Sequence, residues 1–164
     1  VSELRVGIGV DAHALSNEAK LVLAGVEFAD EPGLVGHSDG DVLSHALVDA
    51  ILGAAGLGDI GELFPSGDRL WQDATSLRFL EHAIGVVREA GWELANADCV
   101  LVGERPRIAP RREEMRAALA DALGVEVERI TVRATTMDGL GFTGRGEGLA
   151  AHAVALLHRG TVAA

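Results

Sequence analysis

Apolar positions along the chain follow two different rhythms. Residues 5–11 alternate loosely, which predicts a strand, and 21–23 with 25–28 read as a short hairpin around a glycine. From 42 to 55 the apolar positions 43, 46, 47, 50, 51 and 54 keep helical spacing, and Gly56 supplies the stop. A second helix has apolar positions 77, 80, 83, 84 and 87, with Asp73 or Thr75 as its cap and Gly91 at its end. A third begins at Pro110, carries apolar residues at 115, 118, 119 and 122, and closes at Gly124. Segments 97–102 and 129–135 read as strands, the second with one charged face. Residues 30–41 form a loop in which Ser38 and Asp39 are the candidates to cap the first helix, and 58–67 has room for one helical turn. Residues 149–158 are ambiguous, because their alanines favour helix while the glycines before them favour strand. Strands alternating with helices over 164 residues predict a single domain, 1–164, of the α/β or α+β class with βαβ units.

Composition narrows the functional classes. With 48% hydrophobic and 24% charged residues the chain can bury a core, so disorder is not expected. A net charge of −11 argues against general affinity for nucleic acid or an anionic membrane, yet leaves room for a small basic pocket that takes a phosphorylated metabolite. The single cysteine, Cys99, excludes an intramolecular disulfide and fits a reducing compartment. No apolar run reaches spanning length and no signal peptide is visible, so a soluble cytoplasmic protein is expected. Most of the 21 glycines gather at 7/9, 33–61 and 139–148, a clustering that marks tight backbone geometry near sites.

Several constellations can carry chemistry. Asp11 and His13 lie two apart, so on a strand they share a face. His45 sits mid-helix, with Asp41 and Asp49 one turn to either side as candidates to orient its ring. Two imidazoles and one carboxylate make a set of three zinc ligands with a fourth position open; the alternative is a strand-end turn with a solvated Asp and packed histidines. The loop His37-Ser38-Asp39-Gly40-Asp41 either caps the helix or holds an anion at its start. Thr135, Thr136 and Asp138, followed by the glycine-rich 141–148 with Arg145, suit a phosphate and a magnesium ion, or else a hairpin in which Arg145 and Glu147 pair. Arg105, Arg107, Arg111 and Arg112 read as a solvated face balanced by Glu113 and Glu114. Gly7-x-Gly9-x-x-Ala12 imitates a dinucleotide fingerprint, but a hairpin rather than a helix follows it, so that reading fails. Cys99 lies inside a strand and is expected to be packed rather than reactive.

Three stretches together resemble the 2-C-methyl-D-erythritol 2,4-cyclodiphosphate synthase family: R-V-G-I-G-V-D-A-H at 5–13, G-H-S-D-G-D-V-L-S-H-A-L-V-D-A-I-L-G-A-A-G-L-G-D-I-G-E-L-F-P at 36–65, and A-T-T-M-D-G-L-G-F-T-G-R-G-E-G at 134–148. The resemblance implies a ferredoxin-like domain, a mixed sheet packed by helices, that assembles as a homotrimer with active sites between subunits. It implies a strand for the tail. Asp11, His13 and His45 would hold one zinc ion per site, Asp11 and His13 also touching substrate. His37 and Ser38 would bind substrate, with His37 and Thr136 stabilising the transition state. Asp59, Ile60 and Gly61 would contact the methylerythritol part, and Phe64, Pro65, Ser66, Gly67 and Asp68 would shape the pocket beyond it. Gly103, Glu104, Arg105, Pro106, Arg107, Ile108 and Ala109 would wrap the cytidine. Thr135, Thr136 and Met137 would face the diphosphate, Asp138 would hold Mg2+ or Mn2+ where the family usually has Glu, and Phe142 and Arg145 would complete the contacts. The implied reaction converts 4-diphosphocytidyl-2-C-methyl-D-erythritol 2-phosphate to the cyclic diphosphate with loss of CMP, and an isoprenoid diphosphate near Arg145 and Glu147 in the central cavity is a further expectation. A metal-dependent phosphohydrolase and a metabolite-binding trimer with structural zinc are the competing classes.

Overall fold

One long strand and one alanine-faced helix set the frame. The computed structural model describes residues 3–36, 38–65, 67–71 and 74–160, so His37, Ser66 and Asp73 lie outside the described residues. Strand β1 (Glu3–Ser16) pairs antiparallel along nearly its whole length with β7 (Gly148–Arg159). β7 pairs antiparallel with β5 (Glu93–Val102), and β5 runs parallel to β6 (Ile130–Thr135). With β4 (Gly33–Leu34) on the far edge the sheet order is β4-β1-β7-β5-β6, while β2 (Val22–Leu23) and β3 (Val26–Glu27) form a separate hairpin. The parallel pair is joined by a crossover through helix α4 (Arg112–Leu123).

Helices α1 (Val42–Ala55), α3 (Ser76–Glu89) and α4 cover one face of this mixed sheet, and the core of Leu, Ile, Val and Ala lies between the layers. Two further helices, α2 (Ile60–Leu63) and α5 (Gly141–Gly144), are single turns. The opposite sheet face is bare: Leu4, Val6, Ile8 and Val10 on β1 are each more than half exposed. No helix among the described residues is long and apolar enough to cross a membrane.

The alanine-rich tail is the full-length strand β7. Its buried residues Leu149, Ala151, Ala153, Ala155 and Leu157 alternate with period two, because they pack under α1 while hydrogen bonds to β1 and β5 occupy both edges. Helix starts also differ from the sequence expectation. Asp41, not Ser38 or Asp39, caps α1 by accepting from the Ser44 amide at 3.1 Å, and it takes the amides of Ala24 and Gly25 as well, at 2.9 and 2.8 Å. That carboxylate is fully buried, which pushes its pKa up, and it ties the β2–β3 turn to the helix. Thr75 precedes α3 without a side-chain cap bond, and Asp39 accepts from the Ser76 amide instead. Pro110 lies in a 3-10 turn, Ala109–Arg111, so α4 begins two residues later than expected. Cys99 is buried, as its strand position predicted.

A candidate metal centre opening onto a cleft

Close contact between β1 and α1 builds the centre. A Cβ at Gly7 would stand 2.1 Å from the Ala50 carbonyl oxygen, and one at Gly9 1.8 Å from that of Ala46, so only glycine lets the backbones meet. This explains the Gly7-x-Gly9 pair as a strand packed on a helix rather than a phosphate loop. Asp11 and His13 follow on the same face and come over His45 of α1. His13 Nε2 lies 2.7 Å from Asp11 Oδ2, His45 Nδ1 lies 3.1 Å from the same oxygen, and the two ring nitrogens are 3.3 Å apart. These three atoms form a triangle that can hold a metal ion.

The electrostatics follow from that geometry. Burial opposes charge on Asp11, but the two imidazoles of His13 and His45 beside it outweigh this and hold the carboxyl well below the usual carboxylate range. The Asp11 bond pushes the His13 pKa up against the opposing effect of burial. His13 donates from Nδ1 to the Val35 carbonyl at 2.8 Å, which leaves Nε2 to face the triangle. Neither Asp41 nor Asp49 orients His45. Asp41 is occupied by the α1 cap, and Asp49 accepts from the Ile60 amide at 2.7 Å, its pKa raised by burial. Nε2 of His45 instead faces Ser76 Oγ at 2.8 Å and Ser38 Oγ at 3.1 Å. Ser76 was absent from the sequence expectation, since a serine at a helix start reads only as a cap.

A cleft of about 730 Å³ opens from the triangle. Asp11, His13, Ser38, His45, Ile60, Gly61, Phe64, Pro65, Gly67 and Asp68 all line it, so most of the residues expected around zinc and the methylerythritol part share one cavity. Asp59 turns aside and caps α2 by accepting from the Glu62 amide at 2.9 Å. Arg69, Trp71 and Phe79 line the cleft too and were missed. Phe64 stacks on Phe79 with ring centroids 4.6 Å apart, and Trp71 meets Phe64 edge-on at 4.6 Å, so half of the six aromatic residues wall this cavity. Phe79 lies on the buried face of its helix, four residues before Ala83, and spacing alone does not tell that this face also walls the cleft.

The remaining expected residues gather elsewhere. The Gly103 amide donates to the Thr135 carbonyl at 3.0 Å and the Met137 amide to Glu104 at 3.1 Å, which joins the 103–109 stretch to the 135–138 loop. Thr136 Oγ1 donates to Asp138 at 3.4 Å, and Asp138 takes a left-handed backbone with φ 51°. Glu104, Arg105 and Pro106 line a second cavity of about 280 Å³, while Ile108 is buried and Arg107 and Ala109 are exposed. Phe142 is exposed on α5, and Arg145 pairs with Glu147 at 2.7 Å. In the arginine cluster Arg111 pairs with Glu114 and Arg105 with Glu31, whereas Glu113 serves Arg116 rather than the cluster. Through the registers His13↔Leu149, Ala150↔Val102 and Val102↔Thr135, this group lies at the same end of the sheet as the triangle. It is three strand steps away, about 14 Å.

Residues 4–158 match the YgbB family. The chain belongs to the YgbB family. Among its relatives, the 2-C-methyl-D-erythritol 2,4-cyclodiphosphate synthase of Rubrobacter xylanophilus is 56% identical over 158 residues, covering 94% of this chain and 95% of the relative. The synthase of the same name from Trichlorobacter lovleyi is 50% identical over 154 residues, covering 94% and 98%. Among solved structures, the bifunctional IspDF from Campylobacter jejuni superposes with a TM-score of 0.93 at 43% identity, over 98% of this chain and 43% of that one. A CDP-bound 2C-methyl-D-erythritol-2,4-cyclodiphosphate synthase superposes with a TM-score of 0.86 at 38% identity, over 93% and 99%. YgbB membership therefore spans the sheet, the helices, the triangle and the 135–138 loop alike.

Proposed function

We propose that this YgbB protein converts 4-diphosphocytidyl-2-C-methyl-D-erythritol 2-phosphate to 2-C-methyl-D-erythritol 2,4-cyclodiphosphate and CMP, in the non-mevalonate isoprenoid pathway. The carrying observation is the Asp11–His13–His45 triangle opening directly onto a cleft of substrate size. The donor set, two imidazole nitrogens and one carboxylate oxygen, fits zinc with one position left for a substrate oxygen. When bound there, zinc supplies a Lewis acid that polarises a phosphate oxygen.

The reaction forms a bond from the 2-phosphate oxygen to the β-phosphorus and breaks the bond from that phosphorus to the bridging oxygen, whose electron pair leaves with CMP. Two anions must meet, so positioning and charge neutralisation are the main tasks. Ile60, Gly61 and the wall of Phe64 and Phe79 hold the methylerythritol part and exclude water, with Pro65, Gly67 and Asp68 lining the same cleft; Asp59 and Ser66 complete this part of the reading. Ser38, which lines the cleft, and His37 and Thr136 donate to phosphate oxygens. Residues 103–109 wrap the cytidine, and Asp138 serves Mg2+ or Mn2+ together with the diphosphate.

The domain, ferredoxin-like and single over 1–164, assembles in this reading as a homotrimer. Two features support it: the bare apolar face of β1, and the separation of the triangle from the 103–109 and 135–138 group, which a neighbouring copy makes good. Arg145 and Glu147 then face an isoprenoid diphosphate in the central cavity, with Phe142 nearby. Incubating the zinc-loaded protein with the cytidylyl substrate and Mg2+ and following phosphorus NMR tests the activity. The expected products are the cyclic diphosphate and CMP; a linear hydrolysis product overturns the proposal in favour of a phosphohydrolase.

A further inference from the structure

We infer that Asp39 and Ser76 are positioning residues that fix the tautomer of His45 and aim its Nδ1 lone pair into the triangle. The inference rests on the metal reading above. Its starting point is Asp39, which accepts from the Ser76 amide at 2.9 Å and the Asp41 amide at 3.2 Å, so its carboxylate is clamped between the starts of α3 and α1. The Ser76 hydroxyl also bonds Asp39. An ionised carboxylate only accepts, so the hydroxyl proton belongs to that bond.

With its proton committed, Ser76 Oγ offers only lone pairs to His45 Nε2, 2.8 Å away. Nε2 must therefore carry the ring proton, and a neutral imidazole then keeps its free lone pair on Nδ1. Nδ1 is the atom that faces Asp11 and the His13 ring. Ser76 is fully buried, which keeps water from replacing it as acceptor. Ser38 Oγ, 3.1 Å from the same nitrogen, donates to Asp39 at 3.5 Å, so it too turns a lone pair to Nε2, and it lines the cleft. His13 is oriented alike through its bond to Val35, so both rings turn a nitrogen toward the Asp11 oxygen. A cation there meets the His45 lone pair already facing inward and has only the proton between His13 and Asp11 to displace. The chain Asp39–Ser76–His45 thus keeps the triangle ready for metal.

The test is zinc release to a chromophoric chelator, with the absorption spectrum of the cobalt-loaded protein as a second readout. Ser76→Ala is expected to weaken metal binding about 10- to 100-fold and to shift the cobalt bands, while the metal-free melting temperature stays near that of the wild type. Ser76→Thr, which keeps the hydroxyl, is expected to restore binding. Should Ser76→Ala fail to fold, Asp39→Asn carries the same expectation of weakened binding. Wild-type affinity in Ser76→Ala, or an equal loss in Ser76→Thr, overturns the inference. A wild-type protein that takes up no zinc overturns the metal reading itself, which separates the two failures.

Discussion

At the residue scale, the triangle couples metal binding to protonation. The His13 pKa is raised from its ordinary 6.5, so the stabilisation it gives the metal-free fold is complete below that value and is lost as pH rises through the folded value. The Asp11 pKa is lowered from 3.8, so its contribution is present above that value and is lost as pH falls. The pair therefore supports the metal-free protein best between about pH 4 and 6.5. A cation must displace the His13 proton, so zinc affinity should climb with pH by up to about tenfold per unit while His13 stays protonated. Calorimetric titrations from acid to neutral pH check this, and a flat profile would contradict it. His45→Ala should abolish zinc retention and CMP release together, measured by metal analysis and product assay.

Cys99 gives a second residue-level expectation. Burial pushes its thiol up to about 12, against an ordinary 9.0. The unfolded chain then loses this proton first as pH rises, so stability falls above pH 9, by about 1.4 kcal/mol per unit at most. The native thiol should also resist alkylation at neutral pH, and rapid modification without unfolding would count against this packing.

Elements bring these side chains together. Gly7 and Gly9 let β1 lie on Ala46 and Ala50 of α1, and the same contact sets the height of Asp11 and His13 above His45. Gly9→Ala should therefore cost about 1–3 kcal/mol or more through overpacking, and it should weaken zinc binding although no ligand is changed. Chemical denaturation with parallel metal titration measures both; a fully stable variant with intact zinc affinity would show that the close approach is dispensable. Much of this was legible in the sequence. Helical spacing at 43–54 and alternation at 129–135 mark elements that bury one face, and the glycine pair announced a tight approach. Register across the sheet was not legible, because the alanines of 150–155 suit helix or strand equally until β1 and β5 take their hydrogen bonds.

For the whole molecule, the bare face of Leu4, Val6, Ile8 and Val10 predicts self-association. Ile8→Asp should lower the assembly mass seen by light scattering while far-ultraviolet circular dichroism keeps its shape, since that side chain touches no part of its own core. If active sites are shared between copies, mixing inactive His45→Ala with inactive Thr136→Ala chains should recover part of the activity in mixed assemblies. Recovery absent from demonstrably mixed assemblies would place the whole site on one chain.

Sequence alone determined which of the strongly periodic segments fold as strand or helix, that three residues able to ligate a metal stand at 11, 13 and 45, and which family motifs surround them. Those features depend on local periodicity and residue chemistry, which a linear string carries in full. Tertiary structure decided that Ser76 and Asp39 rather than Asp41 and Asp49 stand behind His45, that Arg69, Trp71 and Phe79 line the cleft, and that one sheet face has no cover. Such relations join atoms tens of residues apart, and nothing in the spacing of a chain fixes them until packing brings the elements into contact.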